Sequence, residues 1–184
     1  LNGSLILTEP AALPSPTSGG NQSVCTDGNP LQTLTATATS AFSVIWFDAA
    51  SGGNIVSPPT QVGVGTVTYH AEANDGVCTS PTRTAVTLTI NNLPATPGTI
   101  SGPLDVCPLV NQVTPSVYSV ASVPGAVTYN WVVPVGTTIV SGQGTTSLSV
   151  TFDNTFALTG SLFKISVTDA NGCTGAQSTL EVLK

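Results

Sequence analysis

Apolar and polar residues alternate along most of this chain with a period of two. In Leu34-Thr-Ala-Thr-Ala38 the apolar positions share one side and Thr the other. Val67, Tyr69 and Ala71 repeat the pattern, as do Val86, Leu88 and Ile90 with Thr87 and Thr89 between them. Further on, Tyr129, Trp131 and Val133 share a face, then Leu148, Val150 and Phe152, then Phe163, Ile165 and Val167. Such alternation describes strands with one buried and one solvated face. Gly-, Pro- and Asn-rich turn signals separate the strands. The prediction is all-β, with about six or seven strands per half-chain forming a sandwich.

The two halves repeat one plan. Cys25, Trp46 and Cys78 follow one another in the first, and Cys107, Trp131 and Cys173 in the second. Each Trp lies in a strand-like stretch and is expected to fill the core of its repeat. Each second Cys follows a hairpin signal, Asn74-Asp75-Gly76 or Asn171-Gly172. The expected organisation is an N-terminal strand or tail of a preceding repeat over residues 1–10, then sandwiches over 11–92 and 93–184. A short Pro-containing joint, Asn91 to Gly98, links the sandwiches, and its two prolines limit its freedom. Leu5, Ile6 and Leu7 form an isolated strand-like run, a candidate donor strand for a neighbouring sheet edge.

Four cysteines allow three pairings. The duplication favours one structural disulfide per repeat, Cys25 with Cys78 and Cys107 with Cys173. Each would close a loop of more than fifty residues, which the chain-entropy account values at roughly 4 kcal/mol. No C-x-x-C pair is present, so a zinc site is not expected.

Composition narrows the function. Only 7% of residues are charged, with three Lys and Arg against nine Asp and Glu, a net charge of −6. No cluster of cations exists to neutralise a phosphate backbone, which argues against nucleic acid as a partner. No run of about 18 apolar residues predicts a membrane span. The solvent faces must therefore be covered by Thr, Ser, Asn and Gln, as suits an extracellular protein touching other copies of itself or a solid surface.

Few side chains in the sequence suggest chemistry. His70 is the single histidine, and it sits between the inward-facing Tyr69 and Ala71, so it is expected to point outward. The carboxylates are scattered, mostly beside turn residues, where Asp caps its own backbone. No cofactor is expected. If an ion binds, the loop residues Asp48, Asp75, Asp153 and Asp169 point to calcium, although no D-x-D-x-D-G loop is present. The expectation is a protein that is not an enzyme.

Several segments resemble known families. Val24-Cys25, Val44-Ile-Trp-Phe-Asp-Ala-Ala-Ser-Gly-Gly53, Thr68-Tyr-His-Ala-Glu72 and Cys78-Thr-Ser-Pro-Thr-Arg-Thr-Ala-Val86 resemble an Ig-like family common in large surface proteins of Bacteroidetes. Pro97-Gly-Thr-Ile-Ser-Gly102, Val106-Cys107, Tyr129-Asn-Trp-Val-Val-Pro134, Thr138-Ile-Val-Ser-Gly-Gln-Gly-Thr145 and Asn171-Gly-Cys173 are similar to the PKD-like domains of the same proteins. Leu5-Ile-Leu-Thr-Glu-Pro10 looks like the closing strand of repeats in their giant gliding adhesins. The resemblance implies a repeat segment of an exported adhesin, carried by the type IX system, with no catalytic residues. Three readings stand open on the sequence: an adhesive stalk or spacer, a filament subunit assembled by N-terminal strand donation, and a carbohydrate-binding module beside a secreted enzyme. Their partners would be neighbouring repeats or other copies of the chain, or a surface polysaccharide or solid surface.

Overall fold

A computed structural model of the chain describes residues 11–157 and 159–184. It divides into two compact units between Asn91 and Asn92. Each is a sandwich of short strands, and the protein is all-β as the alternation predicts. The run Leu5-Ile6-Leu7 lies outside the described residues.

In the first unit, β1 is Thr17–Ser18, β2 Gln22–Cys25, β3 Thr33–Thr35, β4 Ala38–Thr39 and β5 Ser43–Phe47. They are followed by β6 at Thr60–Val62, β7 at Gly65–Asn74 and β8 at Thr84–Asn91. The main sheet has the order β2-β8-β7-β5, and the pairs β1-β4 and β3-β6 form separate ribbons. β5, β7 and β8 pair antiparallel, whereas β2 runs parallel to β8, with Cys25 beside Asn91.

Period-two alternation aims Tyr69, Ala71, Ala73, Val86, Leu88 and Ile90 inward, and all six are buried. Tyr69, Val86, Leu88 and Ala36 make a small core cluster with Leu34, Trp46, Val56 and Val67 packed on it. Trp46 reaches this core but stays partly exposed. The Tyr69 hydroxyl donates to the Thr60 carbonyl at 2.8 Å, which ties β7 to β6. On the outer side, Thr66 bonds Thr89 and Thr68 bonds Thr87 at 3.2 and 2.9 Å. These cross-strand hydroxyl pairs supply the neutral face that the composition implied.

In the second unit, β9 is Ser116–Ser119, β10 Ala126–Val132, β11 Thr137–Ser141, β12 Ser147–Phe152, β13 Ser161–Asp169 and β14 Ser178–Val182. The sheets β10-β13-β14 and β11-β12-β9 enclose a core rich in aromatics. Tyr118 stacks on Phe163 with centroids 4.0 Å apart, and Phe152 meets Phe156 edge-on at 5.2 Å. Trp131 is buried, and its indole N–H donates to the Thr145 carbonyl at 2.8 Å. Two glycines make this packing possible. A Cβ on Gly102 would lie 2.3 Å from the Tyr118 ring. Gly136 has φ +79°, and a Cβ there would meet the Phe156 nitrogen at the same distance.

Candidate functional site

The cysteines carry the clearest departure from expectation. Cys25 and Cys173 are disulfide-bonded, whereas Cys78 and Cys107 are exposed free thiols. The pairings Cys25–Cys78 and Cys107–Cys173 are therefore not made, and strand register explains why. Cys25 sits beside Asn91, at the end of β8 where Ile90 pairs with Gly65, the first residue of β7. Cys78 lies past Asn74, the last residue of the ten-residue β7, next to the Asn74–Thr79 bridge. The two are separated by the length of that strand, about 30 Å at the usual rise, while a disulfide needs Cα atoms within about 7 Å.

The second unit repeats this arrangement. Val106 donates to the Leu183 carbonyl, so Cys107 lies near the end of β14, where Val182 faces Ser161 at the start of β13. Cys173 lies beyond Asp169, at the far end of the nine-residue β13, beside the Thr168–Thr174 bridge. That distance is roughly 25 Å.

The two cysteine turns share one hydrogen-bond scheme. Cys78 N–H donates to the Asp75 carboxylate at 2.7 Å, and Cys173 N–H to the Asp169 carboxylate at 2.9 Å. Asp75 N–H donates to the Cys78 carbonyl, and Asp169 N–H to the Cys173 carbonyl. The amides of Cys78 and Val77 hold the Asp75 carboxyl below its usual range.

The remaining loop carboxylates are occupied in the same way. The amide of Asn54 and its side chain hold Asp48 below its ordinary value. The Thr155 hydroxyl and amide do the same for Asp153, with the Lys184 charge adding to the effect. Asp27 and Asp105 accept the amides of Asn29 and Cys107. Among the described residues, no three His, Cys, Asp or Glu side chains gather in a metal-binding group.

His70 is half-buried, opposite Phe47 on β5 and Ala85 on β8, and Tyr69 and Ala71 beside it face the core. The shallow cleft nearest to a charge cluster in the first unit is lined by Ala50, Ser51, Gly52, Glu72, Ser80 and Arg83, among others. Arg83 fills a structural role there that the sequence reading missed. Its Nε donates to Glu72 at 2.8 Å, and its Nη1 donates to the carbonyls of Ala49 and Gly52 at 2.8 and 2.6 Å. The guanidinium lies 3.4 Å from the Phe47 ring centroid. It thereby fastens the loop after β5 to β7 and β8. Arg83 is the only Lys or Arg in the first unit, and that isolation was the one signal in the sequence.

Phe42 is the one exposed aromatic side chain among the described residues, and Trp46 and Phe47 are partly exposed. No helix of the described residues is long and apolar enough to cross a membrane.

Residues 12–91 match the family model of an Ig-like domain, CHU_C associated. Residues 93–182 match that of a PKD-like domain. The first half of the chain is thus similar to the Ig-like family and the second half to the PKD-like family. No curated protein matches it. Among solved structures it is similar to the N-terminal eight Ig domains of Down syndrome cell adhesion molecule. There the identity is 14% and the TM-score 0.47, over 94% of this chain and 27% of that one. It is also similar to the fibronectin(III)-like modules of CbhA from Clostridium thermocellum, at 13% identity and TM-score 0.42, over 91% and 93% of the two chains. A SusE-like surface-located polysaccharide-binding protein of Bacteroides thetaiotaomicron matches at 11% identity and TM-score 0.32, over 92% of this chain and 33% of that one. These are distant likenesses, and the assignment of the Ig-like and PKD-like domains rests on the family matches.

Proposed function

We propose that this Ig-like and PKD-like pair is a structural or adhesive repeat segment of a large extracellular protein, acting as a stalk or spacer and not as an enzyme. One observation carries the reading. Six loop carboxylates are engaged in holding their own loops, since Asp27, Asp48, Asp75, Asp105, Asp153 and Asp169 each accept a backbone N–H, and Arg83 clamps a loop. Disulfide-bonded cysteines accord with an oxidising, extracellular location. The hydroxyl-covered sheet of the Ig-like domain gives a neutral solvated surface.

Surface display tests the proposal. The segment is deleted from the surface protein that carries it, then replaced by unrelated sandwich domains of equal length. A spacer predicts that adhesion falls on deletion and returns with the replacement. Adhesion that returns only with the native segment would overturn the spacer role and place the binding residues here.

A further inference from the structure

A sheet edge presents a row of backbone N–H and C=O groups, which a fold must cover or leave open to another strand. The two sheets of the PKD-like domain have β9, β10, β11 and β14 as their edge strands. Three of these edges are covered. Ser119 on β9 exchanges two hydrogen bonds with Ser101, each of 2.8 Å. Leu183, next to the end of β14, donates to the Leu104 carbonyl at 2.9 Å and accepts the Val106 N–H at 2.8 Å. On β10, Tyr129 exchanges bonds with Gly144, and the Gln143 side chain donates to the Trp131 carbonyl at 3.1 Å.

The edge at β11 differs. The Asp153 N–H donates to the Gly136 carbonyl at 2.9 Å, and the register then pairs Thr137 with Phe152 and Thr138 with Thr151. The Phe152 carbonyl accepts the Asn111 N–H on the other side of β12. Backbone groups alternate in direction along an antiparallel strand, so Thr138 bonds β12 while the N–H and C=O of Thr137 and Ile139 point away from it. A register shift between Ile139 and Ser141 confines the regular edge to its first three residues. Among the described residues, no backbone bridge covers this outer side. The strand Thr-Thr-Ile-Val-Ser is uncharged, free of Pro and rich in β-branched residues, so it carries none of the usual edge guards except that shift. Val135 and Val140 beside it are 78% and 54% exposed. A second feature marks the same strand. Thr137 Oγ1 is a buried oxygen that lacks a hydrogen-bond partner among the described residues.

We propose that β11 is an acceptor edge and that the strand it takes is Leu1–Thr8 of a second copy of this chain. The recognition is β-augmentation, in which main-chain bonds supply the affinity. Thr137 and Ile139 together offer two N–H and two C=O groups to the incoming strand. Leu1–Thr8 lies outside the described residues, and its sequence suits the role. It carries no charged side chain, and neither does β11, so the pairing brings no like charges together in a chain of net charge −6. Eight extended residues span about 26 Å, more than the open edge requires. In a strand, Leu1, Leu5 and Leu7 would fall on one face and Asn2, Ser4 and Thr8 on the other, the pattern of a half-buried strand. The pairing goes beyond the spacer reading and does not depend on it, since a spacer needs no second copy.

The test follows the full 184-residue chain at rising concentration by analytical ultracentrifugation and by amide hydrogen exchange read by NMR. Free thiols are first alkylated with iodoacetamide, so that no new disulfide contributes. The expected result is growth beyond the dimer. As it proceeds, the amides of Thr137 and Ile139 and those of Leu5 to Leu7 should slow by about tenfold or more. Ile139→Pro removes an outward N–H without touching the β12 ladder, and Leu5→Pro with Ile6→Pro breaks the donor on both of its sides. Each variant alone should stay monomeric, and an equimolar mixture of the two should stop at a dimer. If Ile139→Pro shifts the Trp131 urea transition, the donor variant and the exchange data decide. A chain that stays monomeric at every concentration would overturn the proposal. So would association that leaves Thr137 and Ile139 exchange unchanged, or that survives the donor prolines. Slowing at β11 without slowing at Leu5 to Leu7 would mean that two β11 edges pair with each other. Slowing at Leu5 to Leu7 that ignores concentration would mean pairing within one chain, and either result overturns the assignment. A failed spacer replacement with intact strand exchange would count against the function alone.

Discussion

The Ig-like and PKD-like domains share a plan of strands, a Trp and two cysteines, yet they hold themselves together differently. The PKD-like core is filled by Tyr118, Tyr129, Trp131, Phe152, Phe156 and Phe163, all buried. The Ig-like core is thin: its fully covered positions are Ala71, Ala73, Val86, Leu88 and Ile90, and its Trp46 is only partly buried. What the first repeat lacks in rings it replaces with polar ties, namely Arg83 to Glu72 and two carbonyls, and Tyr69 to Thr60. A sandwich of about 90 residues buries only a modest core, so either device can decide whether it folds. Each repeat carries one tryptophan, so Trp46 and Trp131 can report separately on the unfolding of their own domains.

Removing the central ring of the aromatic core should have the largest effect. Phe163→Ala strips the partner stacked on Tyr118 and is expected to cost about 3–5 kcal/mol. In urea denaturation the Trp131 signal should move to much lower urea while that of Trp46 holds. A loss below about 1 kcal/mol would show that the core is not organised around these rings.

Arg83→Met is the corresponding cut in the Ig-like domain. It removes two hydrogen bonds to carbonyls and leaves the partly buried Glu72 without its cation, with an expected loss of about 2–3 kcal/mol followed by Trp46. Arg83→Lys should restore less than half of that, because an ammonium cannot reproduce the planar fork. Full rescue by Lys would reduce the tie to simple charge. Gly136→Ala should cost about 2 kcal/mol in the PKD-like domain, since it combines a left-handed φ with a clash against the Phe156 backbone. Wild-type stability in that variant would mean that the turn yields freely. The last contrast is silent at neutral pH. Burial pushes the Tyr118 phenol up to about 12, from an ordinary value near 10. The stability this proton carries is complete below pH 10 and is lost as pH rises toward 12, because the unfolded chain ionises first. Tyr118→Phe should flatten that decline for the Trp131 transition, and an unchanged slope would assign the alkaline loss to other groups.

Much of this fold was legible because alternation is local. Tyr69, Leu88, Leu148, Phe163 and their neighbours face inward as the period of two requires. The duplicated Cys turns were legible too, down to the Asp that caps each. What could not be read was the end of the sandwich at which each first cysteine would lie. That depends on β2 pairing parallel with β8, a contact between residues more than sixty positions apart. Sequence spacing alone favoured a bridge inside each repeat, and the register forbids it. The Arg83 tie was hidden for the same reason, since its acceptors at Ala49 and Gly52 lie in a distant loop. Tyr118 and Phe156 likewise gave no alternating signal strong enough to place them in the aromatic cluster.

The account depends most on the cysteines of a repeat lying at opposite ends of its sandwich. Alkylation of the native, unreduced chain with iodoacetamide, followed by mass spectrometry, tests this most directly. Label on Cys78 and Cys107, with Cys25 and Cys173 protected as disulfide, is the predicted result. Protection of Cys78 by a bond to Cys25 would contradict the strand register and the placement argued from it.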